Sequence, residues 1–157
     1  MKSSTINKKC VFFGHRNFVS RCESDLKLTV EKLINSGITE FYIGAHGDFD
    51  KLAYKVCREL KLKYNNIKIM LVFTSEKLFK KDKAGYSISD YYPDTECISF
   101  FVEDKFYKAR ITETNKQMVD LCDMVCCFVD MSVNLSGAKT AIKYAMKKNK
   151  QIINLYK

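Results

Sequence analysis

The sequence predicts an α/β fold, an open parallel sheet of about five strands with helices on both faces. Three observations predict it. Short apolar runs alternate along the chain with segments whose apolar residues recur at helical spacing. The runs are apolar at successive positions, as strands covered on both faces are. Two of them end directly in a glycine, which breaks the strand before the next helix begins.

Cys10-Val-Phe-Phe13 is the first run and stops at Gly14. A helix follows over about residues 21–35, with Leu26, Val30, Leu33 and Ile34 on one face. Ser36-Gly37 ends it, glycine being the usual residue just past a helix. Residues 39–43 form the second strand, closed by Gly44. Asp48 has the chemistry of an N-cap for a second helix carrying Leu52, Ala53, Val56, Cys57 and Leu60. Residues 67–73 form a third strand, and residues 97–102 are a candidate short strand. A helix is expected over about residues 105–121, a strand over 124–129, a helix over 137–148 and a last strand over 151–155. Strand–helix alternation of this kind packs as a parallel sheet through crossover helices.

One segment departs from the pattern. Residues 74–92 are rich in Lys, Ser, Asp and Tyr, without a clear period, and read as a polar insertion loop. No linker divides the chain, and its 157 residues are expected to form a single domain, 1–157. Apolar residues make up 46% of the sequence, enough for a packed core and too many for a disordered chain.

Lys and Arg exceed Asp and Glu by 27 to 18, a net charge of +9. That balance favours anionic partners, although the lysines are scattered rather than clustered. The seven cysteines are odd in number and several lie in apolar runs, which suits buried free thiols in a reducing, cytoplasmic setting. No CxxC pair occurs and no metal is expected. The polar residues 1–9 lack the apolar stretch of a signal peptide, and no run approaches the roughly 20 residues of a membrane span. No membrane partner is expected.

In open parallel sheets, ligands bind beyond the carboxyl ends of the strands, near the point where strand order reverses. Three loops carry unusual residues at that edge. In Gly14-His15-Arg16-Asn17, glycine permits close backbone approach and Arg16 suits a phosphate in fork geometry. In Gly44-Ala45-His46-Gly47-Asp48-Phe49-Asp50, two glycines precede a helix whose first N–H groups suit an anion. In Asn134-Leu135-Ser136-Gly137-Ala138-Lys139-Thr140, Ser136 is a candidate cap and Gly137 leaves the first-turn N–H groups open. The GxxxxGK spacing of a Walker loop is absent.

Taken together, these residues resemble the SLOG superfamily, the Rossmann-like group holding the LOG phosphoribohydrolases and the DprA-type DNA-binding proteins. The opening strand with its Gly14-His-Arg16 turn, the segment from Gly44 to Ala53, Met118-Val-Asp-Leu-Cys-Asp123 and Ser136-Gly137 are most similar to the small bacterial and phage YpsA-like members. The resemblance covers most of the chain apart from residues 74–92. It implies a Rossmann-like fold, a nucleotide-type ligand and self-association into a homo-oligomer. It adds Asn115, and Asp130 beyond the following strand, to the ligand-binding set of Gly14, His15, Arg16, Gly44, Ala45, His46, Gly47, Asp48, Ser136, Gly137, Ala138 and Thr140.

The departures from the LOG enzymes bear on chemistry. Their Arg-Lys pair falls here on Thr114 and Asn115, and their glutamate falls on Ala141. Without that carboxylate, positive charge developing on a ribose goes unstabilised. Glu113, Asp130 and Asp50 are the candidate replacements. The leading expectation is therefore binding of a nucleotide or nucleotide-derived signal by a sensor or sequestering protein. A nucleotide N-glycosidic hydrolase is the first alternative. Single-stranded nucleic-acid binding is the second, with Tyr86, Tyr91, Tyr92 and Phe106 as stacking platforms. None of these readings requires a cofactor.

Overall fold

A computed structural model describes residues 8–15, 22–45, 47–103, 106–132 and 136–156 of the chain. Six strands form one sheet: β1 (Lys8–Gly14), β2 (Ile38–Gly44), β3 (Lys68–Val72), β4 (Glu96–Ile98), β5 (Met124–Phe128) and β6 (Gln151–Asn154). All pair in parallel, in the order β4-β3-β2-β1-β5-β6. The helices are α1 (Glu23–Asn35), α2 (Asp48–Lys61), the single turn α3 (Ser75–Leu78), α4 (Tyr107–Leu121) and α5 (Gly137–Lys147).

The alternation in the sequence accounts for the layers. Cys10, Val11, Phe12 and Phe13 are all buried, because β1 lies mid-sheet with helices over both faces. Cys10 and Phe12 point to the face where Leu26 and Val30 of α1 and Phe49, Ala53 and Val56 of α2 pack. Val11 and Phe13 point to the other, against Met118 of α4 and Ala141, Ile142 and Ala145 of α5. Winding runs outward from β1 to β4, then returns to β5 on the opposite side of β1. Parallel crossovers are right-handed, so reversing the direction of travel moves the helices to the other face.

Three local expectations change. The candidate strand at 97–102 is only Glu96–Ile98, since its partner β3 ends at Val72 and the last bond is Phe73 N–H to the Ile98 carbonyl (2.8 Å). The sheet accordingly has six strands rather than about five. Asp48 is not the cap of α2: Gly47 occupies that position in extended backbone (φ 177°), and Asp48 is already helical. Asp48 and Asp50 instead place negative charge in the first turn, where the helix dipole favours it.

The polar segment at 74–92 has internal structure. Asp82 accepts bonds from the N–H groups of Ala84 (3.0 Å) and Tyr86 (2.9 Å) and from the Tyr91 hydroxyl. Ser87 caps a 3-10 turn over Ile88–Tyr91. Arg58 of α2 donates to the Pro93 carbonyl (2.7 Å), tying the end of the segment to the domain. Among the described residues, no helix is long and apolar enough to cross a membrane.

Candidate functional site

Strand order reverses between β1 and β5, so their carboxyl ends splay and open a crevice at that edge. A cavity of about 380 Å³ lies there, within the range of about 300–1,000 Å³ usual for small-molecule sites. Its lining draws on every layer of the fold: Gly14 and His15 at the end of β1, Gly44 at the end of β2, Asp50 of α2, Lys108, Ile111, Asn115 and Met118 of α4, and Ser136, Gly137 and Ala138 at the start of α5. The α4 residues recur at three- and four-residue intervals, so one helix face forms the wall.

The start of α5 is built to leave donors open. Ser136 is the N-cap, and its hydroxyl accepts from the Lys139 N–H (2.9 Å). Thr140 N–H bonds back to the Ser136 carbonyl (3.1 Å). The N–H groups of Gly137 and Ala138 precede the first intrahelical bond and have no partner among the described residues. A Cβ built on Gly137 meets no atom within 4 Å, so the cavity stands open in front of it.

Gly14 has a different reason for being glycine. A Cβ there lies 2.2 Å from Cγ and 2.4 Å from Cβ of Phe49, the buried first-turn ring of α2. The missing side chain brings α2 against β1, and close approach of a ligand is a second use of the same residue. His15 bridges β1 and β5: its N–H donates to the Phe128 carbonyl (3.3 Å), and its Nε2 accepts from the Asp130 N–H (2.8 Å).

The structure therefore gathers Gly14, His15, Gly44, Asn115, Ser136, Gly137 and Ala138 around one cavity. Ala45 and Gly47 line a smaller neighbouring cavity instead. Asp48 is exposed on the first turn of α2. The Thr140 hydroxyl is turned back to the Ser136 carbonyl (3.0 Å). Arg16 and His46 lie outside the described residues.

The candidate carboxylates separate cleanly. Asp130 braces its own loop, accepting from the Ser132 hydroxyl (2.6 Å) and N–H (2.9 Å) and from the Tyr156 hydroxyl (3.1 Å). These bonds, the Ser132 hydroxyl foremost, hold its carboxyl below the usual aspartate range. Glu113 is exposed on the outer face of α4, away from the crevice. Asp50 lines the cavity, as does Lys108, a residue the sequence pattern did not single out. Thr114 and Ala141 are only 8% and 2% exposed, so both are core positions. Among the described residues, no group of three or more His, Cys, Asp or Glu side chains is placed to hold a metal ion.

The topology defines an open Rossmann-like α/β protein with a crevice at its switch point. Among solved structures, the chain is similar to DNA processing protein A from Helicobacter pylori, studied for its single-stranded DNA binding mode. The TM-score is 0.62 at 14% identity, covering 94% of this chain and 64% of the other. The likeness is one of fold, and the chain spans about two-thirds of that protein's length. An α-amylase from Lactobacillus plantarum aligns at a TM-score of only 0.24 and 14% identity, covering 94% of this chain and 44% of that one, too low a score to bear on the fold. No family model and no curated protein sequence matches the chain.

Proposed function

We propose that the protein binds a nucleotide or nucleotide-derived small molecule in the switch-point crevice, as a sensor or sequestering protein. The observation that carries this reading is the pair of open N–H groups at Gly137 and Ala138, facing a cavity at the positive end of α5. A helix N-terminus with free donors favours a phosphate. Lys108 adds a cation to the same wall, while Asp50 places one carboxylate against it, which disfavours an anion at that end and suits a sugar hydroxyl. The ordered motifs described above support a kinship with the small YpsA-like SLOG proteins.

A thermal-shift panel of mono- and dinucleotides, ADP-ribose and cyclic nucleotides tests the reading. A ligand at 100 times its Kd stabilises the fold by about 2.7 kcal/mol, roughly 5–10 °C for a chain of this size. Gly137→Asp sets a carboxylate against the phosphate and is expected to abolish that shift. The helix itself tolerates an acidic first residue, and the space for it is empty.

Single-stranded DNA binding is the second reading, favoured by the fold shared with DNA processing protein A and by the +9 charge. It predicts no shift with any small nucleotide, together with oligonucleotide binding that weakens steeply with salt.

A further inference from the structure

We propose that the site has two compartments, and that a planar heteroaromatic base sits in the second, against Tyr54, Phe73 and Tyr92, while the anionic part of the same molecule lies in the crevice. The inference rests on the crevice being a phosphate site. A cavity of about 160 Å³ adjoins the first, and Gly44 and Asp50 border both. At Gly44 the partition is bare backbone, so no side chain of that residue separates the two spaces.

The second compartment differs from the first in chemistry. Its far wall is aromatic, from Tyr54 of α2, Phe73 just past β3 and Tyr92 at the end of the polar segment. The Tyr54 and Tyr92 rings stand edge to face with centroids 5.2 Å apart, and Phe73 lies 6.0 Å from Tyr92. Tyr54 and Tyr92 are half-buried, the second of them inside the otherwise polar segment. The volume has room for one planar ring system, and rings offer such a ligand flat apolar contact without reading its sequence of polar groups.

This placement gives the insertion at 74–92 a purpose. The bonds gathered by Asp82 and the Arg58 bond to Pro93 brace both flanks of Tyr92. The Tyr54 hydroxyl lies 3.4 Å from the Thr95 hydroxyl, linking the two ring-bearing segments. The wall is therefore held by bonds within the chain itself. Asp50, on the border between compartments, stands where a sugar joining base to phosphate would present its hydroxyls.

The test compares AMP, GMP and UMP, which add only a base, with ribose 5-phosphate by isothermal titration, on the whole chain. Base stacking is expected to make the best nucleotide about 5- to 150-fold tighter than ribose 5-phosphate. Tyr92→Leu is expected to bring that nucleotide to the affinity of ribose 5-phosphate and to leave ribose 5-phosphate itself unchanged. Equal binding of ribose 5-phosphate and all three nucleotides by the wild-type chain overturns the proposal, whether or not the variant folds. So does a folded Tyr92→Leu that keeps full preference for the nucleotide. Binding of neither class overturns the crevice reading and this one with it, whereas equal binding removes only the base compartment.

Discussion

Replacing Gly14 by alanine adds one carbon where the Phe49 side chain already stands. The new Cβ falls 2.2 Å from Cγ, 2.4 Å from Cβ and 2.4 Å from Cδ2 of Phe49, against an ordinary van der Waals separation of about 3.5–4.0 Å. The ring has little room to retreat. Phe49 is fully buried, with Phe12 at 6.5 Å and Phe128 at 6.4 Å between centroids. Because Phe49 Cβ is itself in the clash, a rotamer change leaves the conflict in place, and α2 must move off β1 as a unit. Overpacking of this kind costs about 1–3 kcal/mol, and a backbone-anchored clash belongs at the upper end. About 3 kcal/mol lowers Tm by roughly 6–12 °C for a domain of 150–250 residues. Urea and thermal unfolding followed by circular dichroism measure it. Gly137→Ala is the matched control: it meets open space and is expected to hold or slightly raise stability, since alanine suits a helix better than glycine. A double-mutant cycle with Phe49→Ala localises the effect, because the cost of Gly14→Ala is expected to fall in part once the ring is gone, the alanine keeping the Cβ at 2.4 Å. A Gly14→Ala protein within 0.5 kcal/mol of wild type would refute the assignment of this glycine to helix–strand packing.

Two further outcomes follow from the side-chain chemistry. Asp130 and Asp82 are held below the ordinary aspartate value of 3.8, by the Ser132 hydroxyl and the Tyr91 hydroxyl respectively, each helped by backbone N–H groups. A depressed folded pKa means stability that is complete above 3.8 and drains away as pH falls through the lower folded values. The urea midpoint is therefore expected to fall below about pH 4, less steeply in Asp82→Asn/Asp130→Asn, and an identical acid limb in that variant would remove these two groups from the explanation. Burial pushes the thiols of Cys10, Cys57, Cys122, Cys126 and Cys127 well up, and Cys97 is the one cysteine not classed as buried. A disulfide reagent at mildly alkaline pH is expected to find at most Cys97 quickly in the folded protein and all seven after denaturation; prompt reaction of several thiols would contradict the packing of the core.

The sequence by itself determined the elements and their class. Apolar residues at successive positions, as in Cys10–Phe13, and helical spacing, as in Leu26, Val30 and Leu33, are local signals, and each became the strand or helix they predict. Ser136 was legible as a cap because capping needs only the residue and its next three neighbours. The glycines closing β1 and β2 marked the carboxyl edge of the sheet for the same reason: strand ends are visible in the chain, and parallel strands end on one side. What the tertiary structure decided is which of those ends meet. Gly14 falls beside Phe128 because β5 pairs with β1, and Gly44 falls beside Val72 because β3 pairs with β2. The strand order sums contacts across the whole sheet, and no local period carries it. The same holds for Gly14, whose reason is a ring 35 positions later. It holds for Lys108, an ordinary helix residue until the fold brings it to the crevice. It holds in reverse for Asp130, which the chain places at the ligand edge and the structure occupies with Ser132 and Tyr156. Side-chain direction and long-range partners are set by packing, which is why the site's scaffold could be read along the chain and its walls could not.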